Sequence, residues 1–191
     1  MKKVIYFTDY NSERKWSLLL KGNSVTKEDV MKYEHPESIE TIELSEGVEA
    51  IEKDAFADLP RLKFVTLPNT LKTIGDGAFR DCNNLSDINL DDVESIGDEA
   101  FKGCKNLGLI TDSIDVPLDT RNLKYFGKDV FKGCPKVNNC IVTINDKPVY
   151  VCQSSYWSFD SYGYLDYISG DLKFADKNDI TDIEFPEGIS A

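Results

Sequence analysis

The sequence predicts a repeat solenoid, a stack of short coils in which each turn of chain adds one strand to a shared parallel sheet. Four blocks carry the pattern: IEKDAFADLPRL from Ile51, IGDGAFRDCNNL from Ile74, IGDEAFKGCKNL from Ile96 and FGKDVFKGCPKV from Phe126. Their phenylalanines, Phe56, Phe79, Phe101 and Phe131, stand 23, 22 and 30 residues apart. Short strand-like runs adjoin the blocks: IETIEL, LKFVTL, LSDINL, LGLITD and VNNCIV. Self-similarity at a period of roughly 20 to 50 residues marks stacked repeat architectures, because one such unit cannot bury its apolar side alone.

Each part of the unit has a physical reading. In LKFVTL, side chains alternate between the two faces of a strand, so Leu62, Val65 and Leu67 are expected to face a core and Phe64 and Thr66 to face outward. The chain turns at Pro68-Asn69 and re-enters the core with Leu71 and Ile74. It bends again at Gly75 and Gly77, where glycine permits backbone shapes that other residues resist. Ala78 and Phe79 then fill the next layer on a short helical turn. Coils stacked at about 4.8 Å, the spacing of neighbouring strands, align equivalent residues into ladders. One is Ile51, Ile74, Ile96 and Phe126; another is the four phenylalanines; a third is Leu59, Cys82, Cys104 and Cys134. Leucine in the cysteine position of the first coil fits cysteine acting as a small buried apolar residue. Coils this close also lie within disulfide range, so a Cys82–Cys104 bridge stays open at this level.

The unit L..I.LP..L..IG..AF.GC..L, clearest over residues 39–142 in IGDGAFRDC and IGDEAFKGC, resembles the BspA-type leucine-rich-repeat family. The resemblance implies a parallel-stranded solenoid without catalytic residues and a role in adhesion or protein recognition, often at bacterial or protist surfaces. The expected fold is a leucine-rich-repeat solenoid, a right-handed β/α superhelix of short parallel strands and short helical turns, flanked by β-hairpin capping modules. Two departures stand out. The first unit reads IEKDAFADL, without the glycine and cysteine, and the fourth carries an insertion and Val130 in place of alanine. Both fit repeats near an end or beside a cap.

A longer repeat encloses the short one. Residues 38–50, SIETIELSEGVEA, match residues 179–191, DITDIEFPEGISA, at an offset of 141. The same offset lays Trp16 on Trp157 and Gly22 on Gly163, and with a small gap KVIYF resembles KPVYV at 147–151. The expected organisation is a hairpin and helix module at 1–38, repeats at 39–142, a second copy of the module at 143–179 and the start of a further repeat at 180–191. Hairpin turns are expected at Asn11-Ser12 and Asn145-Asp146. A short helix is expected in TKEDVMKYEHP, capped by Thr26 with Asp29 three residues on and stopped at His35-Pro36. Because Ala191 falls where the next IG..AF block would begin, the chain is expected to be a piece of a longer array or an unusually short member.

Composition narrows the function. The 191 residues carry 34 acidic against 22 basic side chains, a net charge of −12. Nucleic acid, which demands a basic footprint, is disfavoured, as is an anionic membrane surface. No stretch approaches the roughly 18 to 20 apolar residues of a membrane span, so no membrane insertion is expected. The apolar run of MKKVIYFTDY covers only residues 4–7, too short for an export signal, while surface or secreted placement is what the family resemblance implies. Five cysteines without a C-x-x-C pair argue against a zinc site or a full disulfide framework.

Candidate sites follow from the solenoid geometry. The outward residues of the strands, on the concave face of the stack, form the expected partner-binding surface: Thr41, Glu43, Phe64, Thr66, Asp87, Asn89, Leu109, Thr111, Asn139 and Ile141. Apolar Phe64, Leu109 and Ile141 in a polar surround mark either an interface or a surface covered by a cap or neighbouring subunit. The insertion at 112–119, DSIDVPLD, holds three aspartates but lacks the glycine and terminal glutamate of a calcium loop, and reads as a solvated loop. The stretch 150–167 gathers seven aromatic residues, among them Tyr156, Tyr162 and Tyr164, which could form an aromatic surface for a glycan or seal the end of the stack. Trp157, matched by Trp16, reads as packing. The single histidine, His35, lies in an expected loop, and GDGAF lacks the third glycine of a dinucleotide fingerprint. The Asn84 sequon precedes a strand. The expectation is therefore a non-enzymatic protein-binding scaffold with no catalytic residue, metal or cofactor and an unidentified protein partner. A glycan-binding adhesin and a purely structural spacer are the alternatives.

Overall fold

The structure is a computed structural model that describes residues 2–10, 15–109 and 123–138, together with the backbone of 141–144, 147–150 and 183–184. Each coil contributes one short strand to each of two sheets. Sheet A takes β4 (Ile39–Leu44), β6 (Phe64–Thr66), β8 (Asp87–Ile88) and β10 (Gly108–Leu109). Sheet B takes β3 (Ser24–Val25), β5 (Ala50–Ile51), β7 (Thr73–Ile74), β9 (Ser95–Ile96) and β11 (Tyr125–Phe126). All pairings among these strands are parallel, and strands from successive coils are neighbours. β1 (Val4–Asp9) and β2 (Lys15–Leu19) form an antiparallel hairpin that adds two strands to sheet A beside β4.

The core is the set of ladders running through the stack. Ile51, Ile74 and Ile96 are fully buried, as are Phe56, Phe79 and Phe101. The phenylalanine rings stack coil on coil, with centroids 5.3, 5.2 and 5.4 Å apart along Phe56, Phe79, Phe101 and Phe131. Each such pair is worth about 0.5 to 1.5 kcal/mol beyond the apolar area it buries. Cys82, Cys104 and Cys134 are buried free thiols, so no bridge joins Cys82 to Cys104.

The segment holding each phenylalanine is a chain of tight turns rather than the expected helical turn. Its hydrogen bonds explain why. The Phe56 amide donates to the Ala78 carbonyl, Phe79 to Ala100 and Phe101 to Val130, at 2.7 to 3.0 Å, so these amides reach the next coil instead of their own. The backbone turns over at left-handed residues placed two before the phenylalanine: Asp54, Gly77, Glu99 and Asp129, with φ between 53 and 59°. A helix would direct the same amides along its own axis.

Gly75 serves a different need from the one expected. A Cβ there would lie 2.7 Å from the Lys53 amide nitrogen and 2.9 Å from the Glu52 carbonyl carbon, so the glycine is required by the approach of the preceding coil. Glu52 occupies this position in the first coil. Its amide bonds the Val25 carbonyl, and directly afterwards the chain of that preceding strand turns into α1 (Lys27–Val30) instead of repeating the turn segment of the later coils. The Glu52 side chain accordingly stays exposed. α1 is shorter than the expected helix but starts where expected. Thr26 Oγ1 accepts from the Asp29 amide at 3.2 Å, and Asp29 Oδ2 accepts from the Thr26 amide at 3.1 Å. A 3-10 turn, Pro36–Ser38, leads into β4.

Beyond the insertion, α2 (Pro135–Asn138) is followed by β12 (Ile141–Ile144), β13 (Lys147–Tyr150) and β14 (Ile183–Glu184). They form a separate antiparallel sheet in the order β13-β12-β14, with Ile144 paired to Lys147 across Asn145-Asp146. The order reproduces that of β2-β1-β4, but β13 takes the edge place of β2. The sequence alignment that laid 147–151 on the central strand β1 is corrected accordingly.

Candidate recognition surface

The outward row of sheet A is set by strand register. Tyr6 pairs with Glu43 and Thr8 with Thr41 across the hairpin junction. Thr41 pairs with Phe64, Glu43 with Thr66, and Phe64 with Asp87 across the parallel strands. Ile42 and Val65, the intervening pair, are buried. Alternation therefore leaves Phe64, Thr66, Glu43 and Asn89 exposed and Thr41 half-buried.

Phe64 is the apolar centre of this row, 42% exposed on the middle of a six-stranded sheet. The Lys63 ammonium sits 4.8 Å from its ring centroid, which caps part of the π face with charge. Lys15 lies 4.5 Å from the Tyr6 ring and pairs with Glu43, giving the hairpin side of the face a polar rim. Toward the other end, Asn89 Oδ1 accepts from the Asp91 amide at 2.8 Å, a local turn that holds the exposed amide in place.

The remaining expected residues do not all join this row. Gly108, not Leu109, stands beside Asp87, and Leu109 stands beside Ile88. Leu109 thus belongs to the register of buried Ile88 and not to that of Phe64. The fourth strand shifts because its spacing from β8 is 21 residues, against 23 between β6 and β8. Ile141 is corrected as well, since it starts an antiparallel hairpin in the third sheet instead of a further parallel strand. Thr111, Asn139, Tyr156, Tyr162, Tyr164 and the 112–119 insertion lie outside the described residues.

Other chemistry is sparse. His35 has an exposed side chain 3.6 Å from Glu37. Among the described residues, no group of three or more His, Cys, Asp or Glu could hold a metal ion, and no helix is long and apolar enough to cross a membrane. Cys82, Cys104 and Cys134 are buried in the ladder. Burial pushes the Cys82 thiol up to about 12, and contact with Cys134, together with burial, pushes Cys104 up as well. Sequence reasoning missed a pocket at the N-terminal end, lined by Phe7, Trp16, Leu18 and Tyr33. Its walls come from three separate segments, and only the paired tryptophans hinted at a role for Trp16.

The family pattern agrees with this architecture. The sequence pattern of the BspA type leucine rich repeat region matches residues 31–157 in six copies. Among solved structures, the chain is similar to a leucine-rich repeat protein from Bacteroides ovatus ATCC 8483, at 28% identity and a TM-score of 0.39. That similarity covers 48% of this chain and 24% of the other, so the chain spans about a quarter of its length. No curated protein matches. With six repeat copies over two thirds of its length, this chain belongs to the BspA-type leucine-rich-repeat family.

Proposed function

We propose that the chain is a non-enzymatic scaffold that docks a protein partner on the outward row of sheet A, centred on Phe64. The observation that carries this reading is the exposure of Phe64 amid Thr41, Glu43 and Thr66, on a face where the described neighbours are polar. An apolar anchor within a polar rim is the usual anatomy of a recognition patch, and aromatic anchors supply much of the binding energy in such patches. Repeat stacks generally present an extended sheet surface for this purpose.

The test is site-specific photocrosslinking in the native environment. A photoreactive residue at exposed Thr66 should capture a discrete protein, and Phe64→Ser should abolish that capture. The same residue at exposed Asp76, on the turn segment of the second coil, should not capture it. Capture that persists in Phe64→Ser, or that is equal from Asp76, would refute the assignment of this face.

A further inference from the structure

The hairpin extends sheet A at the N-terminal end of the stack, with β1 in the core and β2 overhanging as the edge strand. On its inward row, Phe7 of β1 stands beside Trp16 of β2, and Ile5 beside Leu18. Ile5 and Phe7 are buried and Leu18 is half-buried, but Trp16 is 47% exposed. The chain after α1 folds back over this overhang. The Tyr33 ring stacks on Phe7 at 5.5 Å and meets Trp16 edge-on at 5.9 Å. Its hydroxyl donates to Asp9 Oδ2 at 2.5 Å, and Ser38 Oγ donates to Asp9 Oδ1 at 2.7 Å. Both donors are neutral hydroxyls, and the bond to Asp9 holds the tyrosine ring still.

The result is a cavity of about 290 Å³ with aromatic walls and two carboxylates, Asp9 and Glu34, along its lining. Lys32 also borders it, but its ammonium is bonded to Asp29 at 2.5 Å. The site therefore presents aromatic faces and net negative charge on a chain whose own charge is −12. Aromatic faces and carboxylates attract an organic cation by the ring quadrupole and by direct charge, and the acidic chain steers a basic ligand toward it. The pocket adjoins β2, the outermost strand of sheet A, and among the described residues no strand pairs with its outer edge. A peptide strand added there would place alternate side chains on the same face as Trp16 and Leu18, beside the cavity.

We propose that the Trp16–Tyr33 corner receives the lysine or arginine side chain of a basic peptide segment that pairs with the free edge of β2. This site lies on the face of the hairpin opposite the Phe64 row and does not depend on it.

The test titrates the full chain with three pentapeptides of one β-prone sequence, whose central residue is arginine, citrulline or norleucine. Tetramethylammonium serves as a free-cation control. Affinity is read by calorimetry, and the Trp16 indole N–H by NMR, assigned against Trp157→Phe. The arginine peptide should shift the Trp16 indole and bind roughly tenfold more tightly than the citrulline peptide, the ratio that a partly desolvated cation–π contact supplies. Trp16→Ala should remove that advantage, and Glu34→Gln, at an exposed position that leaves the fold intact, should weaken it at low salt. Phe64→Ser should leave it unchanged, which separates this site from the docking face. Equal binding of the arginine, citrulline and norleucine peptides would overturn the proposal. So would tetramethylammonium shifting Trp16 while no peptide binds more tightly than it does.

Discussion

The Cys104 thiol donates a hydrogen bond to the Phe79 carbonyl of the preceding coil at 3.0 Å. Cys82 does the same to Phe56, and Cys134 to Phe101, both at 3.0 Å. The cysteine of the repeat is thus a donor as well as a filler, and it satisfies a carbonyl in each coil it follows. Leu59 takes the same buried place in the first coil without a thiol donor. Cys104→Ala should cost about 1 to 3 kcal/mol, the sum of a small cavity and the lost thiol hydrogen bond to a carbonyl that keeps its bond from the Cys82 amide, measured by denaturant unfolding. The Cys82 and Cys104 thiols, both pushed up, should also stay protonated and unreactive at neutral pH. The Cys82 thiol titrates at 9.0 when unfolded and at about 12 when folded. Its stabilising contribution is therefore complete below 9.0 and is lost as pH rises toward 12. Labelling of Cys82 and Cys104 by a thiol reagent at pH 8, read residue by residue by mass spectrometry, should follow unfolding, and fast labelling of either in the native chain would contradict the ladder.

Gly75→Ala should be severe, above roughly 3 kcal/mol, because the new Cβ would overlap backbone atoms of the preceding coil that cannot move without opening the stack. Gly22→Ala is the control, since its Cβ would meet nothing nearer than 4.0 Å. Thermal unfolding of the two variants should separate them clearly. Equal midpoints would show that the coils have room to slide apart.

The ladders were legible because a stacked coil repeats its inward positions at a nearly fixed interval, and Phe56, Phe79 and Phe101 keep that interval. The turn segments were not legible, since nothing local in IGDGAF says that the Phe79 amide will bond to Ala100 in the next coil. That choice is made by stacking, which a single repeat does not express. Leu109 was misplaced for a similar reason. Alternation within LGLITD puts Leu109 outward, but the register of a strand is decided by its neighbour, and Gly108 pairs with Asp87. The Trp16–Tyr33 corner depends on β2 and the segment after α1 meeting across 17 residues, and no local pattern encodes that meeting.

Asp58 occupies a left-handed position, φ 62°, that Gly103 and Gly133 occupy in later coils. An L-residue there carries a strain of roughly 1 to 2 kcal/mol, which glycine relieves at the cost of a more flexible unfolded chain. Asp58→Gly should therefore be neutral to stabilising, by up to about 1 kcal/mol, whereas Gly103→Asp should be destabilising. Thermal midpoints read both. A loss of stability in Asp58→Gly would show that the aspartate side chain contributes more than its backbone strain.

The capping box at α1 should make the N-terminal end sensitive to acid. Burial acts to raise the Asp29 carboxyl, but hydrogen bonds from Lys32 and Thr26 outweigh it and hold the group below its ordinary value of 3.8. A depressed carboxyl contributes stability that is complete above 3.8 and is lost as pH falls through the lower folded value. Thr26→Ala should cost about 1 kcal/mol at neutral pH by removing one half of the box. Asp29→Asn should be less stable than the parent at pH 7, and the difference should shrink as the pH is lowered below 3.8. The reporter is amide exchange at Asp29 and Val30, whose amides face Thr26. Loss of protection there should precede global unfolding, because α1 is only four residues long, at the end of the stack, and Val30 is its single buried residue. A difference that stays constant from pH 7 to below 3.8 would show that the charge on Asp29 plays no part in holding the cap.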